Sequence, residues 1–395
     1  MRKKLLSWQA LLLSSAGRLE LTRTVLNGLH LYWTGGLGIK RIADWNKAAT
    51  GVHLWDVATG MESLWVKRIH SRYLKSHSLW EVKVRSTSTA IWRKILAARD
   101  WIKPKTEIDV KAVKGKNVSV GPFCTVGSSA KLGDFCQLHP SSHIFGHTEL
   151  GEHCILLAGT IVGADLPGST ILGRNNIIGY HAVVGAKCQD LKYKTGDECF
   201  LYIGDNNDIR EFTSIHRSSK SSDKTVIGNN NLIMGSCHIA HDCKIGNNNI
   251  FANNTLLAGH VVVEDYTHTA GAIVVHQFSH VGSYSFIGGG SVVSQDVPKY
   301  IMVSGDRAEL RGLNLEGLRR NGFSSSEIRS LRTAYQKIFM PVDANLEGIE
   351  SRLAEMEQNK ELVGFPVVRA LVQSIRDSFE QDRRGICKYR HWSGH

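Results

Sequence analysis

The sequence of 395 residues has no paired cysteine spacing, little proline and no long apolar run. Its eight cysteines (124, 136, 154, 188, 199, 237, 243 and 387) stand singly and never as CxxC. That excludes a zinc knuckle, argues against a disulfide framework and suits a reducing compartment in which most are small core residues. No stretch of 18 apolar residues occurs, so a transmembrane helix is excluded. With 42% hydrophobic and 21% charged residues the chain is globular, not disordered.

Acidic residues are scarce in one region only. Residues 1–100 hold 17 Lys/Arg against 6 Asp/Glu, a net charge of +11, while the remaining residues are nearly neutral. Eight of the nine tryptophans lie at or before Trp101, and every proline and cysteine lies after it. Two compositions are therefore joined near residue 102. The opening MRKKLLSWQALLLSSAGRL has no acid before Glu20. It fits a signal peptide poorly, because Trp8 and Gln9 break its apolar part, and a mitochondrial presequence better. WNKAATGVHLWDV, SLWVKRIHSRYL, LWEVKV and IWRKILAARDW read as amphipathic helices punctuated by Trp. Basic and aromatic residues together suit nucleic acid, whereas a Trp stripe suits core packing. SSAGRLELTRTVLNGLHLYW, IADWNKAATGVHLWD and SLWVKRIHSRYLKSHSLWEVKV with WRKILAARD resemble the segment after the polymerase palm in plant LINE-type retroelement proteins. No polymerase Asp-Asp motif accompanies them, so no polymerase activity is implied. Residues 1–102 are expected to be a retroelement-like fusion or gene-model artefact, with no nucleic-acid partner.

From residue 102 onward a period of six dominates. Aliphatic residues stand at 120, 126, 132, 138, 144, 150, 156 and 162, then after a slip at ADLP at Leu166, Leu172, Ile178 and Val184. The beat breaks at CQDLKYKTGDE, resumes at Ile203, Ile209 and Ile215, breaks at SSKSSDK, and runs from Ile227 to Val293 with only Phe251 and Thr269 not aliphatic. Neither a helix (3.6) nor a strand (2) has this period. Three hexads make one 18-residue triangular coil, with aliphatic residues inward and Gly, Asn and Asp at the corners. GNNN at 228–231 and again at 246–249 repeats at one full coil. The fold class is thus mainly β: a left-handed parallel β-helix over 103–305, the catalytic domain, with extruded loops at the breaks. NLEGLRR, SSSEIRSLRTAYQKIF, LEGIESRLAEMEQ and VVRALVQSIRDSFEQ carry helical spacing, which predicts a C-terminal helical domain over 306–395. Ser324–Ser326 with Glu327 mark a helix start.

Five histidines, His238, His241, His260, His276 and His280, fall within 43 residues. Asp242 lies 18 before His260, and Ala258 18 before His276, so imidazoles from separate coils form one wall. Two chemistries fit it. Three imidazoles hold zinc, as in the β-helical carbonic anhydrases, or one histidine oriented by a carboxylate acts as general base on a hydroxyl. No Ser or Cys nucleophile stands beside a base, which favours direct transfer over a covalent intermediate.

NLIMGSCHIAHDCKIGNNNIFANNTLLAGHV, AIVVHQF, NLEGLRRNGF, CQDLKYK and SIHRSSK closely resemble the UDP-N-acetylglucosamine O-acyltransferases, which open lipid A synthesis. The resemblance covers about 105–390, and RRGICKYRHW with VGAKCQDLKYKTGDECF is similar to the plant mitochondrial form. It implies that His241 is the general base on the sugar 3-hydroxyl, that Asp242 orients it, and that the Gly259 N–H stabilises the oxyanion. It implies that Asp190 bonds the sugar beside Gln189 and Lys192, that His238, His260, His276 and Gln277 position sugar and acyl groups, and that Asn314, Glu316 and Arg320 hold the nucleotide. Gly289 implies a deep pocket for a long acyl chain. The donor is an (R)-3-hydroxyacyl group on the phosphopantetheine of acyl carrier protein, with no metal and no further cofactor, and a homotrimer in the mitochondrion is implied. Basic Lys192, Lys194, Arg217 and Lys220 are candidate docking charges for the acidic carrier. Asn321 stands where the family has a second arginine, and Asp306-Arg307 where it has Asn-His. The alternatives are a related hexapeptide acyltransferase on another sugar nucleotide and a zinc-binding β-helix of carbonic-anhydrase type.

Overall fold

In the computed structural model, residues 107–108, 112–340 and 348–389 are described, with Leu64–Ile69 and a few single positions between 57 and 99. The chain divides into two units, Met1–Thr106 with Gly121–Phe123, and Glu107–Val120 with Cys124–His395. In the first unit, the helix expected in SLWVKRIHSRYL is present at Leu64–Ile69, and Trp92 is buried. The presequence and the other Trp-bearing segments lie mainly outside the described residues. Among the described residues no helix is long and apolar enough to cross a membrane.

The second unit is a triangular, left-handed parallel β-helix of three sheets. The first face runs from Glu107–Ile108 to Val292–Val293, the second from Val113–Lys114 to His280–Val281, and the third from Ser119–Val120 through Phe286–Ile287. Strands pair in parallel with the strand three positions on, mostly at a register of 18 residues, as in His238↔Leu256 and Leu256↔Val274. The inward residue of each short strand is the aliphatic beat, buried from Val126 to Val293. Leu166 is the exception: it is only half-buried, and the core position is Leu172, paired with Leu150. The ADLP slip is thus a small excursion, not a strand. Phe251 and Thr269, the two irregular beats, are stacked partners. The larger ring is matched by the smaller residue, whose hydroxyl is bonded to Thr255 Oγ1 at 2.8 Å and accepts from the Ala252 N–H at 3.2 Å.

Asn, Asp or Gly holds many of the corners as expected, among them Asn175, Asn206, Asn230, Asp242, Asn248 and Gly290, but not all of them. Many carry an aromatic or histidine at positive φ, among them Phe135, His153, His181, Phe212, His260, Tyr266, Phe278, Tyr284 and Tyr300. A left-handed conformation costs an L-residue roughly 1–2 kcal/mol, but the same corner recurs on the next coil, so neighbouring rings stack. Phe135 and His153 lie 4.8 Å apart at 3°, His260 and Phe278 4.7 Å at 10°, and Tyr266 and Tyr284 4.9 Å at 5°. Inside the second-to-third corner, Asn176, Asn207, Asn231 and Asn249 form a buried column, each side-chain oxygen accepting from the backbone of the next coil.

The third sheet continues past the last coil. Ile301–Ser304 pairs with Phe286–Ile287 and turns into the antiparallel Glu309–Leu313, which Lys388–Tyr389 joins. Helices α1 (Leu315–Arg320), α2 (Ser325–Phe339), α3 (Ile349–Gln358), α4 (Lys360–Val363) and α5 (Pro366–Asp377) follow the hairpin. The expected start of α2 is a capping box: Ser324 Oγ accepts the Glu327 N–H at 3.2 Å, and Glu327 accepts the Ser324 N–H at 2.8 Å.

Three excursions, 164–167, 187–198 and 217–224, all leave the solenoid between the first and second faces. On the second face itself, His280 donates to Glu264 at 2.8 Å, and Glu264 also takes Lys299 and Ser283. His280 is therefore not part of the histidine wall.

Phe251→Ala should lower the free energy of unfolding by about 3–5 kcal/mol, read as a lower urea midpoint. Burial pushes the Glu264 carboxyl up, but bonds from His280, Lys299 and Ser283 outweigh it and hold it well below the carboxylate range. A depressed folded value stabilises above the ordinary 4.5 and is lost as pH falls through the folded value. Glu264→Gln should therefore reduce the melting temperature at pH 7 and narrow its gap to wild type as pH falls below 4.5.

Candidate active site

The corner between the first and second faces repeats every 18 residues through Asp242, His260 and Phe278, all at positive φ. Because the three share one conformation on successive coils, their side chains project in one column. Asp242 begins this column, its side chain fully buried. The carboxylate accepts the Ser219 N–H on both oxygens (3.1 and 3.2 Å) and the Ser219 hydroxyl at 2.6 Å, while the Asp242 N–H donates to Thr225 Oγ1 at 2.8 Å. Burial raises its pKa, but the bonds from His241 and Ser219 prevail and hold it below the ordinary carboxylate value. It is therefore ionised and can only accept.

That fixes the tautomer of its neighbour. His241 Nδ1 lies 2.7 Å from Asp242 Oδ2, so Nδ1 carries the proton and donates. Nε2 is left with its lone pair, 3.6 Å from Asp190 Oδ2 in the 187–198 excursion. The gap is too wide for a hydrogen bond, and both atoms border the same space. His241 rests against Gly259, where a Cβ would stand 2.4 Å from the ring's Cε1. A side chain there is excluded, and among the described residues the Gly259 N–H donates to no protein group.

His260 meets His241 edge to face, with ring centroids 5.2 Å apart, and its Nε2 is 3.5 Å from Asp242. Burial lowers its pKa, Asp242 opposing. His238 extends from the first face, with Nδ1 2.6 Å from Ser214 Oγ, and burial with His241 lowers its pKa. His276 and Gln277 are exposed on the same corner, one coil beyond His260. Gln189 and Lys192 are exposed beside Asp190, whose Oδ1 accepts the Lys192 N–H at 2.8 Å.

The other implied site residues lie elsewhere on the prism. Gly289 stands between the third and first faces, where a Cβ would meet only Gly271 O at 3.5 Å and Ala270 Cβ at 3.7 Å. Asn314 is at the second-to-third corner, and both its side-chain groups are engaged: Nδ2 donates to Tyr284 O at 2.9 Å, and Oδ1 accepts the Gly317 N–H at 3.1 Å as the cap of α1. Glu316 and Arg320 pair on the exposed side of α1 at 2.9 Å. Asn321, in place of a second arginine, donates to Gly317 O at 2.8 Å at the end of that helix. One chain thus gathers ten of the fourteen implied residues at one corner and leaves four outside it.

Arg217 is not a docking charge. Its side chain is fully buried, with Nε on Thr170 Oγ1 (2.8 Å) and the terminal nitrogens on Leu166 O and Ala164 O (both 3.3 Å). Lys192, Lys194 and Lys220 are exposed. Sequence reasoning also missed His216, buried against His238 with ring centroids 4.8 Å apart and a pKa lowered to about 4 by burial and by His238 and His241. It missed Ser219 and Thr225 as well. All three lie at the edges of the SSKSSDK break, so the interrupted beat was the available signal.

The ligand atoms of His241, Asp242 and His260 lie within 4.8 Å of one another. Two imidazoles converge here, not three, and Asp242 Oδ2 already accepts from Ser219 and His241. This donor set suits a base and its orienting carboxylate better than a zinc site.

Residues 296–387 match the family described as UDP N-acetylglucosamine O-acyltransferase, domain 2, and residues 224–259 the bacterial transferase hexapeptide family. The chain is 72% identical over 255 residues, 65% of this chain and 76% of the other, to the probable mitochondrial acyl-[acyl-carrier-protein]–UDP-N-acetylglucosamine O-acyltransferase of Arabidopsis thaliana. It is 38% identical over 288 residues, 73% of this chain and 99% of the other, to the corresponding Stutzerimonas stutzeri protein. The crystal structure of the Arabidopsis UDP-N-acetylglucosamine acyltransferase superposes with a TM-score of 0.72 at 72% identity, over 73% of this chain and all of that one. A Francisella novicida structure of the same name gives 0.61 at 31%, over 72% and 94%. The solenoid and the helices that follow it are those of the UDP-N-acetylglucosamine O-acyltransferases, and the chain belongs to that family.

Proposed function

We propose that the protein transfers an (R)-3-hydroxyacyl group from the phosphopantetheine thioester of acyl carrier protein to the 3-hydroxyl of UDP-N-acetylglucosamine, the first step of lipid A synthesis, in the mitochondrion. The observation that carries this is the tautomer imposed by Asp242, which leaves the lone pair of His241 Nε2 free to take a proton. A sugar hydroxyl placed between Nε2 and Asp190 loses its proton to His241 as its oxygen attacks the thioester carbonyl. The negative charge that develops on the carbonyl oxygen falls to the Gly259 N–H. Collapse breaks the carbon–sulfur bond, and the departing thiolate of the carrier arm takes the proton back from His241. Asp242 stabilises the imidazolium throughout. No metal or protein-bound acyl group is needed, and the carrier's arm is the only prosthetic group.

Gln189, Asp190 and Lys192 hold the sugar in this reading, with His238, His260, His276 and Gln277 along the acyl and sugar path. Gly289 leaves room for a long acyl chain, and Asn314, Glu316 and Arg320 face the nucleotide. These groups occupy three different corners of one prism, which supports a homotrimer in which neighbouring copies complete each site. Leu256 and Val274, 39% and 38% exposed on the first face, suit such a contact. The catalytic unit is 103–395, and residues 1–102 take no part.

Labelled UDP-N-acetylglucosamine and 3-hydroxymyristoyl-acyl carrier protein test the reading. The full chain and 103–395 should form the 3-O-acyl product equally, and His241→Ala should lower kcat by roughly 10²–10⁴-fold, the contribution of a general base. Absence of product from folded wild type sinks the proposal, and stoichiometric zinc would favour the metal alternative. Gly259→Ala, which must displace the His241 ring, should cost about 10²-fold in kcat with an unchanged circular dichroism spectrum.

A further inference from the structure

Three consecutive residues, Arg217, Ser218 and Ser219, touch every excursion that surrounds the proposed site. The buried Arg217 guanidinium binds the 164–170 segment through Thr170 Oγ1, Leu166 O and Ala164 O. Its own N–H donates to Ala186 O at 2.9 Å, where the chain enters the Asp190 excursion. Ser218 takes the other end of that excursion, its N–H donating to Phe200 O at 3.0 Å and its hydroxyl oxygen accepting the Phe200 N–H at 2.9 Å. Ser219 then binds Asp242 through three contacts.

Among the described residues Arg217 bonds to no carboxylate, and burial lowers its pKa. A fully buried guanidinium whose hydrogen bonds go to two carbonyls and a hydroxyl is an expensive way to fill space. An aliphatic residue would pack there without that desolvation. Its fork geometry is what reaches three acceptors on a neighbouring excursion at once. Ser219 is likewise fully committed: its N–H and hydroxyl both point at one carboxylate already bonded to His241. Without the hydroxyl, Asp242 Oδ2 keeps His241, a longer bond from the Ser219 N–H and the distant His260 Nε2.

We propose that Arg217–Ser219 is a positioning segment for the acyl-transfer reaction, coupling the base to the sugar loop. Ser219 sets the orientation of Asp242 and so of His241. Arg217 and Ser218 pin both feet of the excursion that carries Asp190, and so set the 3.6 Å spacing between Asp190 and His241 Nε2. Neither end touches substrate. The two arms act on different quantities: Ser219 on the proton transfer, Arg217 on the binding of the sugar. The inference rests on the acyltransferase reading.

The test separates the two arms. Ser219→Ala should lower kcat by roughly tenfold with the KM for UDP-N-acetylglucosamine unchanged, and Arg217→Lys should raise that KM roughly five- to tenfold with the smaller effect on kcat. In wild type, the far-downfield proton resonance of His241 Nδ1–H should be visible, and it should move in Ser219→Ala but not in Arg217→Lys. That spectrum needs no turnover, so it judges the Ser219 arm even if wild type makes no product, the outcome that would sink the acyltransferase reading instead. Should the alanine variant fail to fold, Ser219→Cys, nearly isosteric and a weak donor, carries the same expectations. Parallel losses in both kinetic constants from both variants, or an unmoved resonance with kcat within twofold of wild type, would overturn the proposal.

Discussion

Parallel stacking at a fixed repeat is the constraint on which the rest depends. Each short strand exists only because the strand one coil before and one coil after supplies its hydrogen bonds, as in Ile239 between Ile215 and Leu257. Two-residue strands have no independent stability. The chain can therefore lengthen only at a corner, where the backbone leaves the ladder and returns in register. All three excursions use the same corner. Chemistry collects there because that is where irregular backbone is tolerated, and the regular coils below supply the rigid column of Asp242, His260 and Phe278.

The same constraint governs the electrostatics. A carboxylate as buried as Asp242 would ordinarily take up a proton. It stays ionised because a corner packed against an excursion can surround it with donors: the His241 ring and both donors of Ser219. The ionised carboxylate fixes which imidazole nitrogen is protonated, and that nitrogen leaves the other facing the open side. Three residues before His241 on the first face, His238 is depressed by burial and by His241, and His216 more strongly. The wall therefore combines one imidazole oriented by a carboxylate with others whose charging is opposed by burial.

Much of this was legible because inward positions obey one rule. An inward side chain must be aliphatic and recur at six, so Val126 through Val293 announce the solenoid, and the spacing of 18 places His260 over Asp242 before any coordinate is known. What was not legible involves residues whose surroundings come from an excursion. Arg217 reads as a surface charge in a polar stretch, yet it is enclosed by a segment some fifty residues earlier. Ser219 reads as one of several serines, yet it alone meets Asp242. The stacked corner rings were missed for another reason: propensity penalises each at positive φ singly, and only the coil above reveals what offsets it. The structural work of Asn314, capping α1 and bonding Tyr284 O, was likewise not legible in its motif.

The solenoid's lower edge has a temporal consequence. The third sheet is finished by Lys388–Tyr389 beside Glu309–Leu310, and Asp296 is bridged to Ile386 and clamped by Arg383 at 2.8 Å. Glu309–Leu313 gains its outer partner, and Asp296 its bridge, only some eighty to ninety residues later in the chain. During synthesis on the ribosome, Glu309–Leu313 must wait with an unpaired outer edge until the helices have emerged and the chain has come back. Open edges recruit other strands. The helices between Leu315 and Asp377 therefore act as a delay as well as a cap, and a stalled or shortened chain would leave open the edge of Glu309–Leu313 that the finished one pairs with Lys388–Tyr389.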